Sequence, residues 1–164
     1  MRLKPWLGAI LLPGALLTAP EPAAAQASNG GDIHVIRAWS RPTAAGALTA
    51  VGYLSIMNHG AKSDSLIAAS SSMARKVEVH RSTMADGVMR METPKAGLPI
   101  GPGETIILAP GGDHLMLVGP TRAFRLGDVI PVTLRFRRAG RVNIQLQVDT
   151  ASITPDSAMQ EHQH

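Results

Sequence analysis

Two histidines and two methionines set the chemistry that this sequence can support. The stretch GGDHLMLV places His114 and Met116 two residues apart in an apolar run. In an extended strand such neighbours point to one face, while Leu115 and Leu117 point to the other. Upstream, His80 precedes Met91 by ten intervening residues, and twenty-two more separate Met91 from His114. His80 itself lies in the alternating run RKVEVHR, which puts Val77 and Val79 on one side and Lys76, Glu78 and His80 on the other. Three strands thus offer imidazole and thioether groups from faces that are not the core. Thioethers are soft and uncharged and imidazole is borderline, a set that suits Cu(I). Zinc prefers thiolate, imidazole or carboxylate, and calcium and magnesium want oxygen. Imidazole binds metal only when neutral, so affinity should fall in acid.

The rest of the composition narrows the alternatives. There is no cysteine, hence no thiolate nucleophile, no zinc–thiolate site and no blue-copper thiolate. Methionine also suits an oxidising compartment, where paired cysteines would form a disulfide. The first 27 residues read as a secretory signal peptide. Arg2 and Lys4 precede the apolar run from Leu7 to Ala19, and AAAQA offers small-x-small cleavage sites. The run is short for a membrane span and Pro13 interrupts it. Net charge is +4 and aromatic residues are few (two Trp, one Tyr, two Phe), which does not read as a nucleic-acid surface. No catalytic triad, supported carboxylate pair or phosphate loop is present, so the chain does not read as an enzyme. Asp113 fits turn chemistry or a partner to a ligand side chain. Trp39 and Tyr53 read as core, His59 as a turn residue, and His34 has no assigned role.

The elements that must position these residues are short strands. Runs at Ile33–Trp39, Leu48–Met57, Leu66–Ser70, Arg75–Arg81, Val88–Glu92, Thr105–Leu108, Asp113–Val118, Val129–Arg137 and Val142–Asp149 are separated by Gly, Pro, Asn and Asp. The spacing predicts an all-β sandwich or barrel over residues 28–150. Residues 151–164 are polar, lack strand periodicity and read as a flexible tail.

The frame His80, Met91, His114-x-Met116 resembles a known family, the periplasmic copper chaperones associated with the CuA centre of cytochrome c oxidase. Their pattern is a His, ten residues, a Met, twenty-one or twenty-two residues, then His-x-Met. The likeness runs through VEVHRSTMADGVMRMETP, LAPGGDHLMLVGP and GDVIPVTLRF, and takes in GYLSIMNHG and the Trp39 strand. It covers most of Ile33 to Asp149. The resemblance implies a cupredoxin-like Greek-key β-sandwich that binds one Cu(I) through His80, Met91, His114 and Met116. It implies delivery to oxidase subunit II, directly or through a thioredoxin-like Sco protein. It is consistent with a soluble periplasmic monomer without a membrane anchor. Met84 and Met89 flank the motif as secondary ligand candidates, with Met84 the stronger. Some family members carry Met/His tails implied to hold a second copper, Cu(II); here Met159, His162 and His164 would serve. Two other functions compete with copper carriage: electron transfer by a cupredoxin-like protein, and a structural β-sandwich in which His and Met are incidental.

Overall fold

The computed structural model describes residues 28–85 and 87–150. The signal segment, Asp86 and the tail with Met159, His162 and His164 lie outside the described residues. Eleven strands follow one another: β1 (Ser28–Gly30), β2 (Ile33–Ser40), β3 (Thr49–Asn58), β4 (Asp64–Ser70), β5 (Ala74–Ala85), β6 (Val88–Glu92), β7 (Leu98–Ile100), β8 (Thr105–Leu108), β9 (His114–Pro120), β10 (Val129–Phe136) and β11 (Arg141–Val148). No helix occurs among the described residues. The all-β reading of the sequence therefore holds.

The strands pair in the order β2-β11-β10-β4-β5-β9-β3, and β3 pairs back with β2, so the sheet closes into a barrel with a sandwich-like core. Closure leaves these seven strands without a free edge. Every pairing is antiparallel except β11 with β2. Alternation explains the core. Along β10 and β11, every second residue is buried: Ile130, Val132, Leu134 and Phe136 meet Val142, Ile144, Leu146 and Val148. Val77 and Val79 of β5, and Leu115 and Leu117 of β9, join the same core. Gly52 has a packing reason, because a Cβ there would come within 2.8 Å of the Leu146 side chain.

Two strands escape the sequence pattern. β1 is Ser-Asn-Gly, a turn-like composition that becomes a strand only by pairing with β2. β7 contains Pro99 and pairs only with β4, an edge position that tolerates proline. β5 also runs longer than its alternating segment. Its first half pairs with β9 from Ala74 to His80, and its second half pairs with β6 from Arg81 to Ala85. At His80 the strand leaves the barrel and becomes one side of a hairpin arm. Ala85 pairs with Val88 across a two-residue connection, where Gly87 takes φ +75°, as a tight hairpin turn requires.

Candidate metal centre

The barrel rim brings the two motif histidines together. His80 is the last residue of β5 paired with β9, and its partner is His114, the first residue of β9. Their ring centroids lie 5.4 Å apart with planes at 68°. His114 is only 7% exposed, and the His80 side chain is 15% exposed. Met116 is paired with Glu78 on one side and Val51 on the other. It is half-buried and shares the outward face with His114. Met91 pairs with Ser82, two residues beyond His80 on that same face of β5. Met91 and Met116 are thus diagonal neighbours of His80 on opposite sides, at the roughly 7–8 Å spacing from which long side chains still meet.

The four residues differ in how firmly they are held. The histidines are anchored in the barrel. Met91 is carried by the arm and is 60% exposed, and β6 pairs with no strand but β5. Met84 and Met89 stand directly opposite each other on the arm, both exposed. Met84 is therefore a strand residue, not a loop residue, and the arm presents three thioethers in a row with Met91.

Hydrogen bonds select which nitrogen each ring has free. His80 Nε2 lies 3.0 Å from Glu78 Oε2. An ionised carboxylate only accepts, so the proton sits on Nε2 and the lone pair on Nδ1. That Nδ1 is buried and has no partner among the described residues. His114 Nδ1 lies 3.0 Å from the Gly112 carbonyl, which likewise leaves the Nε2 lone pair free. Metal-binding histidines commonly donate their second nitrogen to a carboxylate or carbonyl in this way. A buried imidazole nitrogen without a partner carries a desolvation cost that a bound cation would remove. The residues present therefore fit a soft or borderline metal ion.

The supporting shell comes from loop 109–113, between β8 and β9. These two strands lie one after the other along β3, and the loop bulges out between them. It closes on itself through Gly112 N–H to the Ala109 carbonyl and Ala109 N–H to the Asp113 carbonyl. The Asp113 carboxylate accepts the Ser82 N–H at 3.0 Å and faces Arg81 at 3.5 Å. The Ser82 hydroxyl donates to the Gly112 carbonyl at 2.9 Å. Asp113 thus pins the loop to the arm. Glu78 has its carboxyl held below the ordinary value, first by the hydrogen bond from Lys76 and then by that from His80.

Glu78 and Gly112 are the functional groups that the sequence reading left out. A signal for Glu78 existed, because it stands two residues from His80 on the same strand face. Trp39 and Tyr53 are buried, with rings 4.8 Å apart, but they lie outside the main core cluster. Leu54 and Ile56 face the core, so Tyr53 points to the outward side of β3. The pairing of Gly52 with Leu115, continued by one residue, sets it beside His114.

A closed β-barrel with two rim imidazoles freed for coordination defines a candidate metal-binding domain. The chain belongs to the family described as "Putative lipoprotein LpqE-like", whose model matches residues 33–148. A "Putative lipoprotein Lxx21020" from Leifsonia xyli subsp. xyli is 33% identical over 125 residues, 76% of this chain and 74% of that protein. Among solved structures, the apo PCuAC domain from PmoF1 superposes with a TM-score of 0.65 at 25% identity, covering 77% of this chain and all of that one. The copper-bound PCuAC domain from PmoF2 gives 0.63 at 26% identity, covering 78% and 99%. The solution structure of CuI-DR1885 from Deinococcus radiodurans shares the fold, with a TM-score of 0.57 at 22% identity over 68% of this chain and 74% of that one.

Proposed function

We propose that this protein is a copper chaperone that binds Cu(I) through His80, Met91, His114 and Met116 and delivers it for assembly of the CuA centre of cytochrome c oxidase. The observation that carries the reading is the buried Nδ1 of His80, without a partner among the described residues, in a ring 5.4 Å from that of His114. The likeness to PCuAC domains, one of them copper-bound, supports it.

The two histidines hold the cargo, Met116 covers it from the barrel, and Met91 closes over it from the arm. Release goes by ligand exchange. Met91 is exposed and departs first, and an entering group on the acceptor takes its place. Thiolates bind Cu(I) more strongly than thioethers do, so copper runs downhill to a dithiol acceptor. Oxidase subunit II, or a Sco-type protein ahead of it, supplies that group. A blue-copper electron carrier would need a thiolate that the sequence lacks. The protein acts as a carrier and not an enzyme, as a monomer. The relatives are named as lipoproteins, which supports an exported, envelope location. Bacterial lipoproteins are acylated on cysteine, and these 164 residues contain none. We therefore place the protein free in the periplasm. Met84 and Met89 are reserve ligands on the arm, and the Met159, His162 and His164 tail takes a second copper as Cu(II).

The test is an anaerobic Cu(I) titration against a chromophoric competitor, run with the parent, His114→Ala, Met91→Ala and a His162→Ala/His164→Ala variant. One tight equivalent is expected, weakened in both motif variants and kept in the tail variant. Undiminished binding in the motif variants would reject the site, and no binding at all would reject the function.

A further inference from the structure

His34 and His59 take no part in the rim site, yet they form a second imidazole pair. Ile33 pairs with Asn58 and His34 with Met57 across β2 and β3. The His59 N–H then bonds the Asp32 carbonyl at 2.8 Å, which carries the ladder one residue further. Ile33 and Asn58 are each 1% exposed and point inward. His34, Met57 and His59 therefore share the outward face. The two rings lie 4.5 Å apart at 63°. His59 is exposed, and His34 and Met57 are partly so. Neither ring hydrogen-bonds to another protein group among the described residues, so both imidazoles keep a lone pair for a ligand.

We propose that His34 and His59, with Met57 beside them, form a further Cu(II) site, separate from both the rim and the tail. The ring spacing is compatible with a cis pair of imidazole ligands. A metal ~2.0 Å from an imidazole nitrogen sits roughly 3.1 Å from that ring's centroid. Rings 4.5 Å apart then subtend about 90° at a shared ion, the cis angle of a tetragonal Cu(II) site. The 5.4 Å spacing of His80 and His114 gives about 120°, which suits trigonal or tetrahedral Cu(I). No cluster of three histidine or carboxylate side chains forms among the described residues. Water therefore fills the other equatorial positions, as the exposure of His59 permits, and the Met57 thioether occupies a weak axial one. Cu(II) stands at the top of the divalent affinity order, so it is the ion that two imidazoles hold best. The site is separate from the rim. Met57 lies six residues along β3 from Val51, the partner of Met116, or roughly 20 Å. The inference does not depend on the chaperone reading.

The sequence contains six histidines, which makes a clean test available. Replacing His80, His114, His162 and His164 by Ala in the full chain leaves only His34 and His59. Added Cu(II) should give one equivalent with a tetragonal electron paramagnetic resonance spectrum and nitrogen hyperfine structure, and a further His59→Ala change should abolish it. A spectrum without nitrogen coupling, or one that survives His59→Ala, overturns the proposal. The unaltered protein gives a second readout that needs no folded fourfold variant. Cu(II) added beyond the one equivalent assigned to the tail should broaden the amide resonances around His34, Met57 and His59, and His59→Ala should spare them. Resonances there that stay sharp in the unaltered protein would also overturn it.

Discussion

At the scale of single residues, the decisive feature is the disposition of protons on two rings. Glu78 accepts a hydrogen bond from His80 Nε2–H, and the Gly112 carbonyl accepts one from His114 Nδ1–H. Removing a group that orients a metal-binding histidine typically costs 10–100-fold in metal affinity. Glu78→Ala should therefore weaken Cu(I) binding about 10–100-fold, with Glu78→Gln falling between it and the parent. The melting temperature should hardly move, because Glu78 is part of a solvent-accessible ion pair with Lys76, and such pairs contribute little. A competitor titration beside a thermal melt separates the two effects. Equal affinities would mean that Glu78 does not set the His80 tautomer. The sequence makes the ligand faces legible at this scale. Alternation alone puts Leu115 and Leu117 inward and His114 and Met116 outward, and the buried leucines agree. It does not reveal that His80 stands opposite His114, because register across two distant strands is a tertiary fact. The His34 and His59 pair was hidden for the same reason: one member sits on a strand, the other beyond the end of its neighbour.

At the scale of elements, the barrel and the arm divide stability from function. Leu117 is fully buried on β9, one residue from Met116. Leu117→Ala should cost about 2–5 kcal/mol by leaving a cavity. Met91 lies on the exposed arm, so Met91→Ala should stay within about 0.5 kcal/mol of the parent in chemical denaturation while weakening Cu(I) binding. A large stability loss in Met91→Ala would mean that the arm is packed, not open. A second contrast sits at the turn before β7. Gly97 has φ +82°, and a Cβ there would come within 2.4 Å of the Leu66 backbone carbonyl. Gly97→Ala should destabilise the fold by roughly 1–3 kcal/mol, from backbone strain and that collision together. An unchanged denaturation midpoint would show that the turn re-forms at no cost. Strong alternation and Asp-Gly or Pro-Gly punctuation made nine strands readable. β1 and β7 were not, because each is only three residues long and carries a strand-breaking Gly or Pro, so pairing with a neighbour defines it. The arm was half visible: the run Val88–Glu92 was legible, but the continuation of β5 past His80 through RSTMA was not.

At the scale of the whole molecule, one buried carboxylate ties distant parts of the closed sheet together. Asp64 opens β4 and is 6% exposed. It accepts N–H groups from Arg138 and Ala139, in the β10–β11 connection, at 2.9 Å each, and from Ser65 at 2.7 Å. Burial pushes its carboxyl up, but the backbone N–H groups of Ala139, Arg138, Ser65 and Arg137 together outweigh burial and hold it below its ordinary value. The native state therefore favours the carboxylate more than the unfolded chain does. The sign follows from linkage: the contribution is fully present above the unfolded value of about 3.9 and is lost as pH falls through the lower folded value. Asp64→Asn replaces an acceptor oxygen by a donor opposite N–H groups, at a cost of about 1–3 kcal/mol near neutral pH. Below about pH 4 the gap between parent and variant should shrink, because the parent's carboxyl is protonated as well. Denaturant unfolding at a series of pH values reads both quantities. A gap that stays constant into acid would assign the loss to packing and not to the charge. Nothing local in the sequence points to this residue. Its partners in the β10–β11 turn lie more than seventy positions away, and the pairing of β10 with β4 brings that turn onto the start of β4. The β5–β9 pairing that sets His80 opposite His114 belongs to the same sheet, so a fold loosened at Asp64 should also blunt Cu(I) binding near its unfolding midpoint, while the Glu78→Ala variant should lose affinity far below it.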